Sequence, residues 1–135
     1  MGANTKAGDF RMRILYAFAA AVVICLGLLW RSPFLGLPAF VSKYGGDALW
    51  SLLVFLCIRI CLPQRPHWIP SLIAFTIACA VEFSQLYHST WIDSIRSTLA
   101  GRLIFGSTFN WPDIPAYALG NLLGFIPDRV IQRRS

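Results

Sequence analysis

The chain has 135 residues, of which 56% are hydrophobic and 13% are charged, whereas a soluble domain carries about 25% charged residues. This composition excludes an ordinary soluble domain and predicts an all-α, polytopic membrane protein, with residues 1–135 forming one integral membrane domain. The net charge of +6 comes from cations that flank apolar segments, as in cytoplasmic anchoring, so we expect no nucleic-acid partner.

Four apolar segments predict four transmembrane helices, at about residues 14–30, 46–62, 68–87 and 113–127. The first follows a basic start and lacks a small-residue cleavage site, so we expect it to be retained in the protein. Residues 31–44 contain two prolines and a glycine, and we expect an interfacial or shallow re-entrant link there. Near the end of the second helix, Arg59 should extend its guanidinium to the inner membrane interface.

Small and polar residues follow one face of the third predicted helix. The spacing of Ser71, Ala74, Ala78, Glu82 and Gln85 is three or four residues throughout. Small residues let a neighbouring helix approach, so Glu82 and Gln85 should point into the bundle. An ionisable residue at bilayer depth costs about 2.5–3.5 kcal/mol on insertion scales, so it usually pairs and usually has a function.

The fourth predicted helix carries two parallel stripes with a spacing of four residues. One stripe is polar and the other is small: Asp113, Tyr117 and Asn121, and beside them Ala116, Gly120 and Gly124. The second stripe contains GNLLG, a small-xxx-small motif that is typical of helix packing in membranes. Asp113 is also suited to be the N-cap of this helix.

The segment between the third and fourth helices is predicted to lie at the membrane surface. Residues 89–99 repeat apolar residues at helical spacing, which predicts a short interfacial helix. On it, Asp93 and Arg96 should form a solvated surface pair. Residues 101–111 are rich in glycine and aromatic residues and predict a loop.

Four spans place both termini on one side, and the positive-inside rule selects the cytoplasmic side. With this orientation, four cations lie on the outer side: Arg31, Lys43, Arg96 and Arg102. Eight cations lie on the inner side: Lys6, Arg11, Arg13, Arg59, Arg65, Arg129, Arg133 and Arg134. The outer side then carries a belt of aromatic residues, Trp30, Tyr44, Trp50, Tyr87, Trp91, Trp111 and Tyr117.

These patterns predict a polar cluster just below the outer membrane interface. The residues expected to bind a ligand are Asp47, Glu82, Gln85, Arg96, Arg102, Asp113, Tyr117 and Asn121. If the cluster were catalytic, Glu82 and Asp113 would form an acid–base pair, because two carboxylates in different environments can divide those roles.

We expect no metal and no cofactor, since Cys57 and Cys61 lack partners at ligand spacing and buried cysteine behaves as a small hydrophobe. The alternative to a ligand-binding or catalytic site is that these polar side chains only pair with one another and hold the four helices together.

The chain resembles the VanZ-like membrane proteins in an E-x-x-Q helix, an arginine-containing link and a D-x-x-A-Y-x-x-G-N-x-x-G helix. More closely, the segments KYGGD-LW, EFSQLY, W-D-IR and G-LIFG resemble a family of small bacterial membrane proteins that is known as a domain of unknown function. The likeness covers residues 43–125 and implies a bacterial inner-membrane protein. The matching positions are Glu82, Gln85, Arg96, Asp113, Asn121 and Gly124. VanZ-like members are associated with resistance to teicoplanin, but this shorter chain has a different loop at residues 109–111, and that role is not transferred.

Three functions follow as hypotheses. In the favoured one, Arg96 and Arg102 hold the phosphate of an envelope lipid or cell-wall precursor head group, because the arginine fork suits phosphate. The second is an intramembrane enzyme that acts on a lipid-linked substrate. The third is a structural subunit of a larger envelope complex that docks another helix through GNLLG. The partners would then be another membrane protein or further copies of this chain.

Overall fold

The computed structural model describes residues 2–134, and the side-chain environments of residues 6–133. The side chain of Arg134, one of the expected inner cations, lies outside this part. Within it, the chain forms six α-helices and one short 3-10 helix: α1 (Gly2–Trp30), the 3-10 helix Pro33–Leu35, α2 (Ala39–Cys61), α3 (Trp68–Ser84), α4 (Thr90–Ser97), α5 (Leu99–Phe105) and α6 (Asp113–Arg134). The predicted all-α class is confirmed.

Two helices are long and apolar enough to span a membrane. They are Lys6–Trp30 within α1, and α2 over its full length; α3 is apolar but shorter, at 17 residues. Apolar side chains of α1 are largely exposed, among them Phe18 at 69% and Leu28 at 58%. A helix with large exposed apolar side chains and little burial in its own protein is suited to a lipid environment.

The helix α2 lies at the centre of the bundle and packs against α1, α3 and α6, while α3 also packs against α6. The end of α1 lies beside the start of α2, since Trp30 Nε1 donates a hydrogen bond to Val41 O at 2.9 Å. We call this end of the bundle the upper end; it contains the start of α6 and the end of α3. The opposite end, where α2 ends and α3 begins, is the lower end.

The glycines of α6 lie at its contact with α2. A Cβ on Gly120 would be 1.9 Å from Ala48 O, and a Cβ on Gly124 would be 2.4 Å from a ring carbon of Phe55. Across the same contact, Ser51 Oγ donates a hydrogen bond to Tyr117 O at 2.8 Å. The GNLLG motif is therefore used inside the bundle, where close approach of two backbones requires the absence of a side chain.

The starts of α1 and α2 differ from the prediction. The basic N-terminal segment is helical from Gly2, rather than from about residue 14, and α2 begins at Ala39 within the predicted link. Gly45 and Gly46 do not start the second helix; they make room for the end of α1. A Cβ on Gly45 would be 2.3 Å from Trp30 Nε1, and one on Gly46 would be 2.4 Å from a guanidinium nitrogen of Arg31.

The second half of the chain also departs from the prediction. The loop predicted for residues 101–111 is wrong in its first part, because α5 covers Leu99–Phe105 and is capped by the Thr98 hydroxyl, which accepts from Gly101 N at 3.0 Å. The helix α3 ends at Ser84, three residues earlier than expected. The helix α6 continues through Pro127 to Arg134, and its last turns bring Asp128 and Gln132 into contact with Arg59 and His67.

Candidate functional site

A cavity of about 760 Å³ opens at the upper end of the bundle. Its walls come from the ends of α1 and α3, the starts of α2 and α6, and α5 with the loop that follows it. The charged and polar residues among its lining include Arg31, Lys43, Asp47, Gln85, Arg102, Asp113 and Tyr117. Ligand cavities in proteins usually measure about 300–1,000 Å³, so this upper pocket is the candidate site.

Two carboxylates and two cations neutralise each other on one wall of the upper pocket. Asp47 accepts from Arg31 Nη2 at 2.9 Å and from Lys43 Nζ at 3.3 Å. Lys43 Nζ also donates to Asp113. Lys43 was not among the predicted site residues, although Lys43 and Asp47 are spaced for an i,i+4 pair on a helix. The pair was missed because this segment was assigned to a link.

Arg102 differs from the other charged residues of the pocket. Its guanidinium is exposed and donates to Ser97 O at 3.3 Å. Within the described part of the chain, no carboxylate lies within 4.0 Å of it, whereas Arg31, Lys43, Asp47 and Asp113 are all ion-paired. Arg102 is thus the uncompensated cation of the pocket wall.

Glu82 is fully buried behind the upper pocket, at 0% exposure. One carboxylate oxygen accepts from Asn110 N at 2.6 Å, and the other accepts from Tyr117 Oη at 3.0 Å and Gln85 Nε2 at 3.2 Å. All three donors are neutral. Gln85 and Tyr117 line the cavity and connect Glu82 to it, but Glu82 is not part of the lining.

Asn110 joins the two carboxylates that were expected to form an acid–base pair. Its backbone N–H donates to Glu82, while its side-chain Nδ2 donates to Asp113 Oδ1 at 3.4 Å and to Tyr44 Oη at 3.4 Å. Sequence reasoning did not identify Asn110, because it lies in an irregular loop with no periodic pattern. Asp113 was predicted to be the N-cap of the fourth helix. In the structure its carboxylate instead accepts hydrogen bonds from Lys43 and Asn110.

Arg96 does not join the pocket, and although it pairs with Asp93 as predicted, only the Asp93 side of the pair is exposed to solvent. The side chain is buried, and its guanidinium donates to Ser84 O at 2.7 Å and to Tyr87 O at 2.8 Å. Asp93 Oδ1 is 3.5 Å away and half exposed. The guanidinium therefore bonds to carbonyls at and just beyond the C-terminal end of α3, where Ser84 O also accepts from Tyr87 N at 3.0 Å.

Asn121 also lies outside the upper pocket. Its Oδ1 accepts from Ser71 Oγ at 2.9 Å, and its Nδ2 donates to Ser71 O at 2.8 Å. These bonds join α6 to α3 and lie beside a second, mostly apolar groove of about 490 Å³ that includes Trp68, Leu72 and Phe125. Of the eight predicted ligand residues, the structure brings Asp47, Gln85, Arg102, Asp113 and Tyr117 to the cavity, with Glu82 directly behind it.

A family model described as a protein of unknown function, DUF2809, matches residues 36–121. The chain belongs to the DUF2809 family. The match contains α2, α3, α4, α5 and the first turns of α6, so most of the upper pocket lies within it. No solved structure matches the chain, and the resemblance to VanZ-like proteins stays a prediction.

This DUF2809 chain has a second polar cluster at the lower end, which we call the lower triad: Tyr16, Arg59 and Asp128. Arg59 is fully buried, so its predicted extension to the membrane interface is wrong. Its Nε donates to Asp128 Oδ1 at 3.1 Å and its Nη2 donates to Tyr16 Oη at 3.0 Å. The remaining Nη1 donates to Leu62 O and Arg65 O at 3.0 and 2.8 Å.

The lower triad joins three helices. The Tyr16 hydroxyl of α1 donates to Asp128 of α6, and Arg59 of α2 lies between them. Sequence reasoning missed the triad because the fourth helix was ended near Pro127, one residue before Asp128. Because α6 extends past Pro127, the carboxylate of Asp128 faces Arg59. The buried guanidinium therefore pairs with this carboxylate instead of with water.

Among the described residues, no group of three or more His, Cys, Asp or Glu side chains is arranged to hold a metal ion. The four cysteines are free, and three of them, Cys25, Cys57 and Cys61, are exposed on apolar helices.

Proposed function

We propose that this DUF2809 protein is a bacterial inner-membrane protein whose upper pocket binds the anionic head group of an envelope lipid or lipid-linked cell-wall precursor. The observation that carries the proposal is the position of Arg102. It is an exposed guanidinium without a carboxylate partner in the described chain, on the wall of a cavity of ligand size. A guanidinium binds phosphate through two parallel hydrogen bonds, which suits it to this role.

The proposal includes four spans, α1, α2, α3 and α6, with both termini in the cytoplasm and the upper pocket on the outer side. The 17 residues of α3 and 22 residues of α6 correspond to lengths of about 26 and 33 Å at 1.5 Å per residue, close to the roughly 30 Å of a bilayer core. The excess of basic residues at the lower end supports this orientation under the positive-inside rule.

Aromatic side chains at the upper end support placing the pocket at the membrane interface. Trp111 is 66% exposed, Trp91 is 61% exposed and Tyr87 is 54% exposed. Such residues are enriched where the bilayer meets water. A lipid head group enters a cavity at this depth without leaving the membrane.

The lining of the pocket is amphipathic, which favours a lipid over a small soluble anion. Leu37, Trp50, Val81 and Ile104 contribute apolar surface beside the charged wall. Arg31 and Lys43 are already neutralised by Asp47 and Asp113, so a bound phosphate would depend chiefly on Arg102. Arg96, the other arginine expected to contact the ligand, has its guanidinium directed to the end of α3.

Lipid-resolved native mass spectrometry tests the proposal. The purified protein should retain anionic phospholipids more than phosphatidylcholine, and Arg102→Gln should remove most of this preference. The matched control is Arg65→Gln, which neutralises an exposed arginine at the lower end. Soluble glycerol 3-phosphate in large excess should not displace the lipid, because it lacks the apolar part.

Equal lipid retention by Arg102→Gln, Arg65→Gln and the unaltered protein would sink the proposal. Displacement by soluble glycerol phosphate would overturn its lipid component.

The structure lends less support to the two other hypotheses. The enzyme hypothesis is supported by Asn110, which links Glu82 to Asp113. However, Glu82 has no exposed surface, so a substrate in the pocket would contact Tyr117 or Gln85 instead. For a partner-docking subunit, Gly120 and Gly124 are already in contact with α2.

A further inference from the structure

The walls of the upper pocket are built in two layers, and the same order of layers is present on three helices. Along α2, α3 and α6, the polar layer consists of Asp47, Gln85 and Asp113, and the apolar layer consists of Trp50, Val81 and Tyr117. On each helix the apolar residue lies three or four positions closer to the lower end than the polar one. A rise of about 1.5 Å per residue places the two layers roughly 4.5–6 Å apart.

The apolar layer offers accessible hydrophobic surface to the cavity. The ring centroids of Trp50 and Tyr117 are 5.6 Å apart, within the range of a favourable aromatic contact. The Tyr117 hydroxyl donates to Glu82 at 3.0 Å, so the ring is the part of this side chain that is left for the cavity. Trp50 and Val81 are both partly exposed. An apolar group that enters the cavity can therefore contact them.

The upper pocket lies between α5 and the link that joins α1 to α2. Both segments line the cavity, α5 through Leu103 and Ile104, and the link through Pro33 and Leu37. Among the described helices, α5 packs against α4 and α3 alone, so no helix contact closes the cavity between α5 and the link. Large apolar side chains are exposed on both segments, with Ile104 at 52% and Phe34 at 94%. A rim of this kind is suited to lipid chains rather than to water.

We propose that the apolar layer of the upper pocket is a subsite for the first part of an acyl chain, and that the rest of the chain leaves between α5 and the link into the bilayer. The inference rests on the proposed function and adds the class of ligand, a lipid whose chain enters the pocket together with its head group. A phospholipid has its groups in the same order as the cavity, with a charged phosphate followed by apolar chains. A small soluble anion at Arg102 would leave the apolar layer in contact with water, which is unfavourable.

Quenching of tryptophan fluorescence tests the contact between the chain and Trp50. The full-length protein is placed in phosphatidylcholine vesicles that contain a minor fraction of a lipid brominated near the ester end of its acyl chains. This lipid is either phosphatidylglycerol or phosphatidylcholine, and its bromine atoms quench indole fluorescence at contact distance. We expect stronger quenching by the brominated phosphatidylglycerol, because its anionic head group is held by Arg102.

Three variants show where the excess quenching by phosphatidylglycerol arises. Trp50→Phe should abolish the excess, and Arg102→Gln should abolish it because the head group is no longer held. Trp68→Phe is the control and should retain the excess, since Trp68 is exposed at the lower end and does not line the upper pocket. With the bromine atoms at the far end of the chain, the excess should fall, because that part of the chain lies outside the pocket.

A cross-linking experiment tests the same contact without any substitution. Phosphatidylglycerol that carries a diazirine near the ester end of an acyl chain is photolysed with the unaltered protein in the same vesicles. The modified residues are then located by peptide mass spectrometry. We expect adducts on Trp50 and Val81 that an excess of unlabelled phosphatidylglycerol removes and an excess of phosphatidylcholine leaves in place.

The outcomes distinguish the subsite from the proposed function. If native mass spectrometry shows the anionic preference but the two brominated lipids quench equally, the acyl-chain subsite is overturned and the proposed function stands. An excess that Trp50→Phe retains would also overturn the subsite. Absence of the anionic preference in native mass spectrometry would overturn the proposed function and the subsite with it. If Trp50→Phe does not fold, the positions of the cross-links decide the question.

Discussion

Replacing Asp128 with asparagine should destabilise the protein far more than the same change at a surface aspartate. Asp128 is 2% exposed, and its Oδ1 accepts from both Arg59 and Tyr16. The substitution leaves the guanidinium of Arg59, which is 0% exposed, without a counter-charge. Breaking one side of a buried ion pair costs about 3–5 kcal/mol, and we expect a loss of that size in the free energy of unfolding.

Removing the whole lower triad should cost less than removing Asp128 alone. In the triple variant Tyr16→Phe, Arg59→Met and Asp128→Leu, no buried charge is left unpaired, and apolar replacement of a buried pair is often nearly neutral. The carbonyls of Leu62 and Arg65 lose their donor, however. Each lost hydrogen bond is worth about 0.5–1.5 kcal/mol, so the triple variant should lie between Asp128→Asn and the unaltered protein.

The assay is unfolding by sodium dodecyl sulfate in mixed micelles, followed by circular dichroism. The control is Asp93→Asn, because the Asp93 side chain is 47% exposed and its contacts with His88 and Arg96 are long, at 3.3 and 3.5 Å. Exposed pairs contribute about 0–1 kcal/mol. A loss below about 1 kcal/mol for Asp128→Asn, or equal losses for the two aspartates, would refute the buried pairing of α2 with α6.

Two further predictions concern packing and capping. Gly120→Ala should cost about 1–3 kcal/mol, because overpacking costs about that much in a tight contact and the new Cβ would be 1.9 Å from Ala48 O. Gly27→Ala is the control, since nothing lies within 4 Å of a Cβ there; equal effects in the same unfolding assay would contradict the α2–α6 contact. Arg96→Gln should speed amide exchange throughout α4 relative to Arg102→Gln, because Arg96, unlike Arg102, bonds from α4 to the carbonyls at the end of α3. Unchanged exchange in α4 would refute that role.

Helical periodicity predicted the buried face of α3 well, because that face is set by residues of the same helix. Ala74, Ala78 and Glu82 are all at 0% exposure, and Gln85 is at 3%. The spacing of three and four residues contains this information directly. The same argument placed the small stripe of α6 in a helix contact, although it did not identify α2 as the partner.

The sequence could not predict the roles of the arginines, because their partners lie far along the chain or in the backbone. Arg59 bonds to Asp128, 69 positions away, and a buried pair and an arginine extended to the interface have the same local sequence. Arg96 bonds to the backbone carbonyls of Ser84 and Tyr87, and a bond to a carbonyl does not depend on the side chain that the sequence shows. Lys43 lies in the pocket because α2 begins at Ala39, within the segment that was predicted to be a link.

The central claim, an upper pocket on the outer side of the membrane, is tested most directly by labelling single cysteines in intact bacterial spheroplasts. Cys25, Cys57, Cys61 and Cys79 are first replaced by alanine. Ser107→Cys then lies on the exposed loop of the upper pocket, and Gln64→Cys lies in the exposed turn at the lower end. We predict that a membrane-impermeant maleimide labels Ser107→Cys in intact spheroplasts and labels Gln64→Cys only after lysis. The reverse pattern, or equal labelling of both before lysis, would contradict the account.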